Sequence, residues 1–281
     1  MRVALGLAAA LGLLVLAGGA RAQGLAETCA EPRAYEAAAA ANGERILTLP
    51  FAPFGRPETG WAAYAPLIMA EIGTACPPES NAFAAALGRF QAAHGAPPDG
   101  TVSPESFTLL KGVWQERRPF VMARVAKVCP DPAAAMDLVT LDRTETADDR
   151  PQQLRADVAA AFRAMRAAAL KDLPEEATSP DVLTVFSSYR DPAADQARCD
   201  VQGNCDGAGR ALCSPHRTGT AVDLYLGHAP GQAADATTPE NRLYQSRTPV
   251  YRWLVAHAAA FGFRPYAFEP WHWEWTGPPR P

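Results

Sequence analysis

Two histidines and an aspartate, well separated along the chain, have the types and settings of a metal-binding set. They are His216 and Asp223 in S-P-H-R-T-G-T-A-V-D, and His272 in E-P-W-H-W-E. Two imidazoles and one carboxylate leave a fourth tetrahedral position for water, the composition of a hydrolytic zinc centre, and Glu269 just before His272 is a candidate base. Asp223 interrupts the apolar run A-V-D-L-Y, where an unpaired carboxylate would be costly. Metal ligation would compensate it, and so would a salt bridge or a cap. His272 sits among Trp271, Trp273 and Trp275. On a strand it points away from the neighbouring indoles, so His272 and Glu274 share one face. By spacing alone Glu274 rivals Glu269 as the base, and His272 could equally be a satisfied histidine in an aromatic belt. His94, His228 and His257 read as structural or solvent-facing.

These residues need elements to position them. The interval from His216 to Asp223 does not repeat a strand face. It suggests a loop ligand turned back by Gly219 onto a following strand, residues 221–226. Further strands are expected at 182–187 and 271–275. Leu154, Val158, Phe162 and Met165 mark one face of a helix within 152–170, and a second helix over 250–261 is stopped by Gly262. Helices mixed with short strands, without glycine-rich βα turns, predict an α+β fold with a small mixed or antiparallel sheet in 152–281. A small all-helical domain is expected in 23–130. Its first helix, 61–72, ends at Cys76-Pro77-Pro78, and its second is capped by Asn81 and carries Phe83, Leu87 and Phe90. Its third starts at Ser103-Pro104-Glu105-Ser106 with Ser103 as cap. The acid-rich stretch 131–151 is expected as the linker.

The whole chain bounds the setting. Residues 1–22 have a basic start, an apolar run and an Ala20-Arg21-Ala22 cleavage signal, so they read as a cleaved signal peptide, too short to span a bilayer. The six cysteines, at 29, 76, 129, 199, 205 and 213, suggest disulfides in an exported protein. Cys29 with Cys76 and Cys199 with Cys205 are the expected pairs. The alternative, a cysteine-rich metal knuckle before His216, fits no common zinc spacing. The net charge of −4, without a Lys/Arg block, argues against nucleic acid as a partner.

Two family resemblances follow from the motifs. L-G-R-F-Q-A-A-H-G-A-P-P-D-G-T-V-S-P-E-S-F-T-L-L, from Leu87 to Leu110, resembles the peptidoglycan-binding-like helical module at Phe90-Gln91, His94-Gly95 and Asp99-Gly100. Ser103 replaces the usual glycine before Pro104. In the bland reading these residues are only core and turn. Residues 152–275 resemble the VanY-like zinc D-alanyl-D-alanine carboxypeptidases and dipeptidases related to those of vancomycin resistance. That family's S-x-H-x-x-G-x-A-x-D is present as Ser214, His216, Gly219, Ala221 and Asp223. Its E-x-W-H-x-E is present from Glu269 to Glu274, and its S-x-Y-R with a following glutamine as Ser187 to Arg190 and Gln196. The Cys199 to Cys213 insertion is less typical.

The resemblance implies Zn2+ on His216, Asp223 and His272, with Glu269 as catalytic base. It implies that Arg190 steadies the substrate carbonyl or grips a terminal carboxylate, and that Gln196, Ser214 and Tyr189 contact substrate or support the ligands. The implied activity is removal of the terminal D-Ala from peptidoglycan stem peptides by a periplasmic or secreted monomer. A wall endopeptidase is the main alternative. A D,D-dipeptidase and a non-catalytic wall-binding protein are less favoured.

Overall fold

The computed structural model describes residues 29–126, 128–203 and 214–278. The expected signal peptide, Cys205 and Cys213 lie outside the described residues. No helix among those described is long and apolar enough to cross a membrane.

The fold is α+β. Strands β1 (Pro50–Phe51) and β2 (Glu58–Thr59) form a two-stranded ribbon, as do β3 (Leu138–Thr140) and β4 (Gln153–Arg155). Strands β5 (Val185–Ser187), β6 (Ala221–Leu224), β7 (Phe263–Tyr266) and β8 (Glu269–Trp275) form one antiparallel sheet in the order β5-β6-β8-β7. β8 alternates as expected, with Trp271 and Trp273 buried on one face and His272 and Glu274 turned to the other. Leu154 belongs to β4 rather than to the helix expected around it. Its alternation cannot be told from a helical spacing over one step, and the helix Ala156–Asp172 begins only after it, burying Val158, Phe162 and Met165.

Ahead of the sheet lie the helices Glu36–Arg45, Ala65–Ile72, Asn81–Ala93, Pro104–Glu116 and Pro119–Val125. This part is not all-helical as expected: the chain turns back near Gly55, at φ 75°, and pairs β1 with β2 between the first two helices. Ser103 caps the fourth of these helices, as expected, and Ser106 completes a reciprocal box with it although a longer Glu is the usual residue there. Two local expectations shift. Ser80, not Asn81, caps the helix Asn81–Ala93, its hydroxyl accepting from the Phe83 N–H at 3.2 Å. Gly73, at φ 71°, rather than the later prolines, ends the helix Ala65–Ile72, because that closing turn needs a left-handed residue. One hydrophobic cluster runs from Trp61, Phe83 and Phe107 to Phe162, Leu224, Leu254 and Trp273.

Cys29 and Cys76 form a disulfide, as expected. Cys129 and Cys199 are each engaged in a disulfide as well. The expected Cys199–Cys205 pair falls on Cys205, outside the described residues.

The Leu87–Leu110 motif is spent on its own turn. Gln91 Nε2 donates to Asp99 Oδ1 at 2.8 Å, and Gln91 Oε1 accepts from the Gly100 N–H at 2.8 Å. Asn42 closes the other side, donating to Gly100 O and accepting from the Val102 N–H. Gly100 has φ 72°, and a Cβ there would lie 2.5 Å from Ala84 O, so only glycine fits. Replacing Gln91 by Ala orphans a buried N–H, and should lower unfolding stability by about 1–3 kcal/mol in urea titrations. A loss within experimental scatter would show that water substitutes for the amide.

Candidate metal centre and cleft

Asp223 lies in β6 and His272 directly opposite it in β8, while Ser187 of β5 is Asp223's partner on the other side. Directly opposed residues on one face have side chains within reach of each other. His216 comes from a 3-10 turn, Pro215–Thr218, opened by Ser214, whose hydroxyl accepts from the His216 N–H at 3.3 Å. Gly219 then reverses the chain at φ 67°, where a Cβ would crowd Leu138, Ala133 and Arg155. The loop ligand turned back onto a strand is the arrangement that the spacing suggests.

The three side chains converge. His216 Nε2 lies 3.3 Å from Asp223 Oδ2, and His272 Nδ1 lies 2.8 Å from Asp223 Oδ1. One ligand atom from each lies within 4.8 Å of the others, and all three residues are buried. The far nitrogen of each ring is also held. His216 Nδ1 donates to the Ser188 carbonyl at 2.7 Å, and His272 Nε2 donates to Glu274 Oε1 at 3.1 Å. Those bonds leave His216 Nε2 and His272 Nδ1 as the ring nitrogens turned toward Asp223, and support from behind is how metal-binding imidazoles are oriented. Two imidazole nitrogens and one carboxylate oxygen, converging on one point and supported from outside, are a donor set that fits a zinc ion.

Electrostatics follow from this packing. Burial opposes charge on Asp223, yet His216 and His272 outweigh it and hold the carboxyl well below its usual range. Burial pushes the His216 pKa down, although Asp223 acts to raise it. Burial likewise opposes ionisation of Glu274, but Arg118 and His272 win and bring it to about 2.

The two glutamates that spacing could not separate have different environments. Glu274 is 3% exposed, and Arg118 holds both its oxygens, Nη2 to Oε1 at 2.5 Å and Nε to Oε2 at 3.2 Å. Glu269 is only partly buried, at the open start of β8, and lines a cleft of about 840 Å³ over the three ligands. Arg190 lines the same cleft and feels the charges of Asp223 and Glu269. Its backbone N–H donates to His216 O, and its Nη1 lies 3.6 Å from Asp195 Oδ1. Burial pushes Arg190 down and Asp195 up, the latter to about 6. Ser214 and Tyr189 also line the cleft. Gln196 stands apart, on the exposed side of its helix, where its amide donates to Asp200 Oδ1 at 2.9 Å.

Arg118, Asp195 and the Ser188 carbonyl are the participants that sequence reasoning missed. Nothing in R-R-P-F marks Arg118, because its partner lies 156 positions away. The backbone carbonyl of Ser188 is equally silent in a sequence. His94, His228 and His257 stand outside the cleft, against Phe90, Tyr225 and Trp253 respectively.

In the metal-free protein, burial disfavours the His272 cation, but bonds to Asp223 and Glu274 overcome it and push the pKa up to about 9. The folded value exceeds the unfolded one of about 6.5, so this cation contributes its stability in full below that pH and loses it as pH rises through about 9. Urea unfolding of chelator-treated protein should show the gap between wild type and H272Q shrinking from about pH 6 to about pH 10. A gap that stays constant with pH would contradict this balance.

No family model matches the chain, and no curated protein matches it. Similar solved structures include VanYB in complex with D-alanine-D-alanine, 19% identical, with 54% of this chain and 87% of that one covered at a TM-score of 0.32. They also include a mutant of the vancomycin resistance D,D-pentapeptidase VanY from the VanB-type cassette, in complex with Zn(II). It is 20% identical, with 54% and 88% coverage and a TM-score of 0.30.

Proposed function

We propose that this chain is a zinc-dependent metallopeptidase that removes the terminal D-Ala from peptidoglycan stem peptides, outside the cytoplasm. The observation that carries the reading is the convergence of His216 Nε2, Asp223 and His272 Nδ1 beneath a cleft that Glu269 and Arg190 line. The peptide substrate comes from the S-x-H-x-x-G-x-A-x-D and E-x-W-H-x-E patterns, whose positions supply these residues. The leader-like residues 1–22 and the Cys29–Cys76 disulfide support an oxidising compartment.

When bound, zinc supplies Lewis acidity, which acidifies a water and polarises a carbonyl. His216, Asp223 and His272 would hold it. Glu269, open to the cleft, takes the proton of the attacking water on its carboxylate and hands it to the departing amine nitrogen. Arg190, largely buried and fixed beside Asp195, offers its guanidinium to the carbonyl oxygen as negative charge grows there. Ser214 and Tyr189 border the same space and contact the bound peptide. Phe120 and Val121 give the cleft an apolar wall on the side of the N-terminal helices.

Mass spectrometry of purified muropeptides incubated with zinc-loaded protein tests the reaction. Loss of a single alanine is expected. Separation of cross-linked stems would instead identify an endopeptidase, and no product with zinc bound would reject both. Glu269→Gln should lower kcat by about 100-fold or more while zinc content stays at the wild-type level. Near-wild-type turnover in that variant would remove Glu269 from the mechanism.

A further inference from the structure

Arg118 precedes the short helix Pro119–Val125, in the part of the chain that resembles a wall-binding module and its extension. Its side chain nevertheless reaches the innermost layer of the candidate metal centre. It is 5% exposed, and its guanidinium makes a two-point contact with Glu274. Its third edge is occupied, with Nη1 donating to Gln115 Oε1 at 2.5 Å. The guanidinium lies over the Tyr266 ring, 4.2 Å from its centroid, and that ring stands edge-on to His272 at 6.1 Å. Glu274 Oε1 is also the atom that accepts from His272 Nε2. An unbroken series of buried contacts therefore runs from the N-terminal helices through Arg118 and Glu274 to His272, and on to Asp223.

We infer that Arg118 is a positioning residue for the metal ligand His272, so that the N-terminal helical half completes the metal centre. The physical reason lies in Glu274. A carboxylate at this depth would be strongly disfavoured without a cation, and could rotate or take up a proton. The planar guanidinium fork fixes both oxygens in one orientation, which a flexible ammonium does not reproduce. Glu274 so fixed keeps the Nε2–H of His272 bonded and holds its Nδ1 turned toward the space shared with Asp223 and His216. Supporting carboxylates of this kind are worth about 10–100-fold in metal affinity. Arg118 acts one bond further out, through the carboxylate it holds.

A second buried arginine makes the control. Arg242 joins the same halves of the chain, its Nη2 2.7 Å from Glu58 Oε2 and its Nη1 donating to the Tyr64 hydroxyl at 2.8 Å. It touches none of the three candidate ligands or Glu274. A role limited to docking the halves would make Arg118 and Arg242 equivalent for metal binding.

The inference rests on the zinc reading above, and the experiment separates the two. Zinc affinity of the full chain is measured by competition with a chromophoric chelator, alongside the visible spectrum of the cobalt-substituted protein. Arg118→Met should weaken zinc binding about 10-fold or more and alter the cobalt spectrum, with Arg118→Lys in between. Arg242→Met should lower unfolding stability and leave both metal readouts at wild type. Wild-type zinc affinity in Arg118→Met, or an equal loss in Arg242→Met, would overturn the positioning role while the zinc site stands. If Arg118→Met fails to fold, Arg118→Lys decides: affinity equal to wild type overturns the inference, and a several-fold loss supports it. A wild-type chain that binds no zinc would reject both readings.

Discussion

A carboxylate buried in the middle of a four-stranded sheet is the constraint around which this protein is organised. Asp223 occupies a central strand position where any uncompensated charge would be strongly unfavourable. Two histidines compensate it, one from the opposing strand and one from the turn that leads into its own strand. Each histidine is then held from behind, by a carbonyl and by a second carboxylate. That second carboxylate needs its own cation, and the chain finds one in Arg118. Every group in the series is buried because of the next, so removing one partner leaves another charged or polar group exposed to a low-dielectric interior.

The same logic explains how the helical front of the chain joins the sheet. Arg118 meets Glu274 on one side, while Arg242, Tyr64 and Glu58 form a closed buried network on the other. Between these two points the hydrophobic cluster is continuous. Buried ion pairs contribute little net stability compared with apolar packing, but they tolerate few alternative arrangements. Here they fix how the N-terminal helices sit over the cleft, whose wall includes Gln115, Phe120 and Val121. The glutamine, aspartate and glycine of the Leu87–Leu110 motif meanwhile satisfy one another within a turn.

Environment divides labour among chemically similar groups. Glu269 and Glu274 sit on the same strand near the same histidine. Glu274 is sealed, doubly bonded to a guanidinium and held ionised, a fixed acceptor for the His272 Nε2–H. Glu269 opens onto the cleft, where a carboxylate can exchange protons with what binds there. Arg118 and Arg190 divide similarly, the first consumed by its partner and the second beside Asp195 at the cleft surface. Identical side chains receive different chemistry from burial and partners.

Much of this was legible in the sequence because it depends on local rules. The alternation of tryptophans with His272 and Glu274 reports a strand whose two faces differ, and that strand is β8. Gly219 marks a reversal, and Ser103-Pro104 marks a helix start. Sites of single-residue precision were less legible: Ser80 for Asn81 as a cap, or Leu154 on a strand just before a helix, are choices that neighbouring packing makes. What the sequence by itself determined was the set of polar residues placed where apolar ones belong, and hence that His216, Asp223 and His272 needed partners. Which partners they have was decided only by the tertiary structure. Arg118 and Glu274 carry no mutual signal across 156 positions, and the difference between two glutamates on one strand lies in what packs above them. Periodicity records which way a side chain points, whereas burial and pairing depend on the rest of the chain that closes over it.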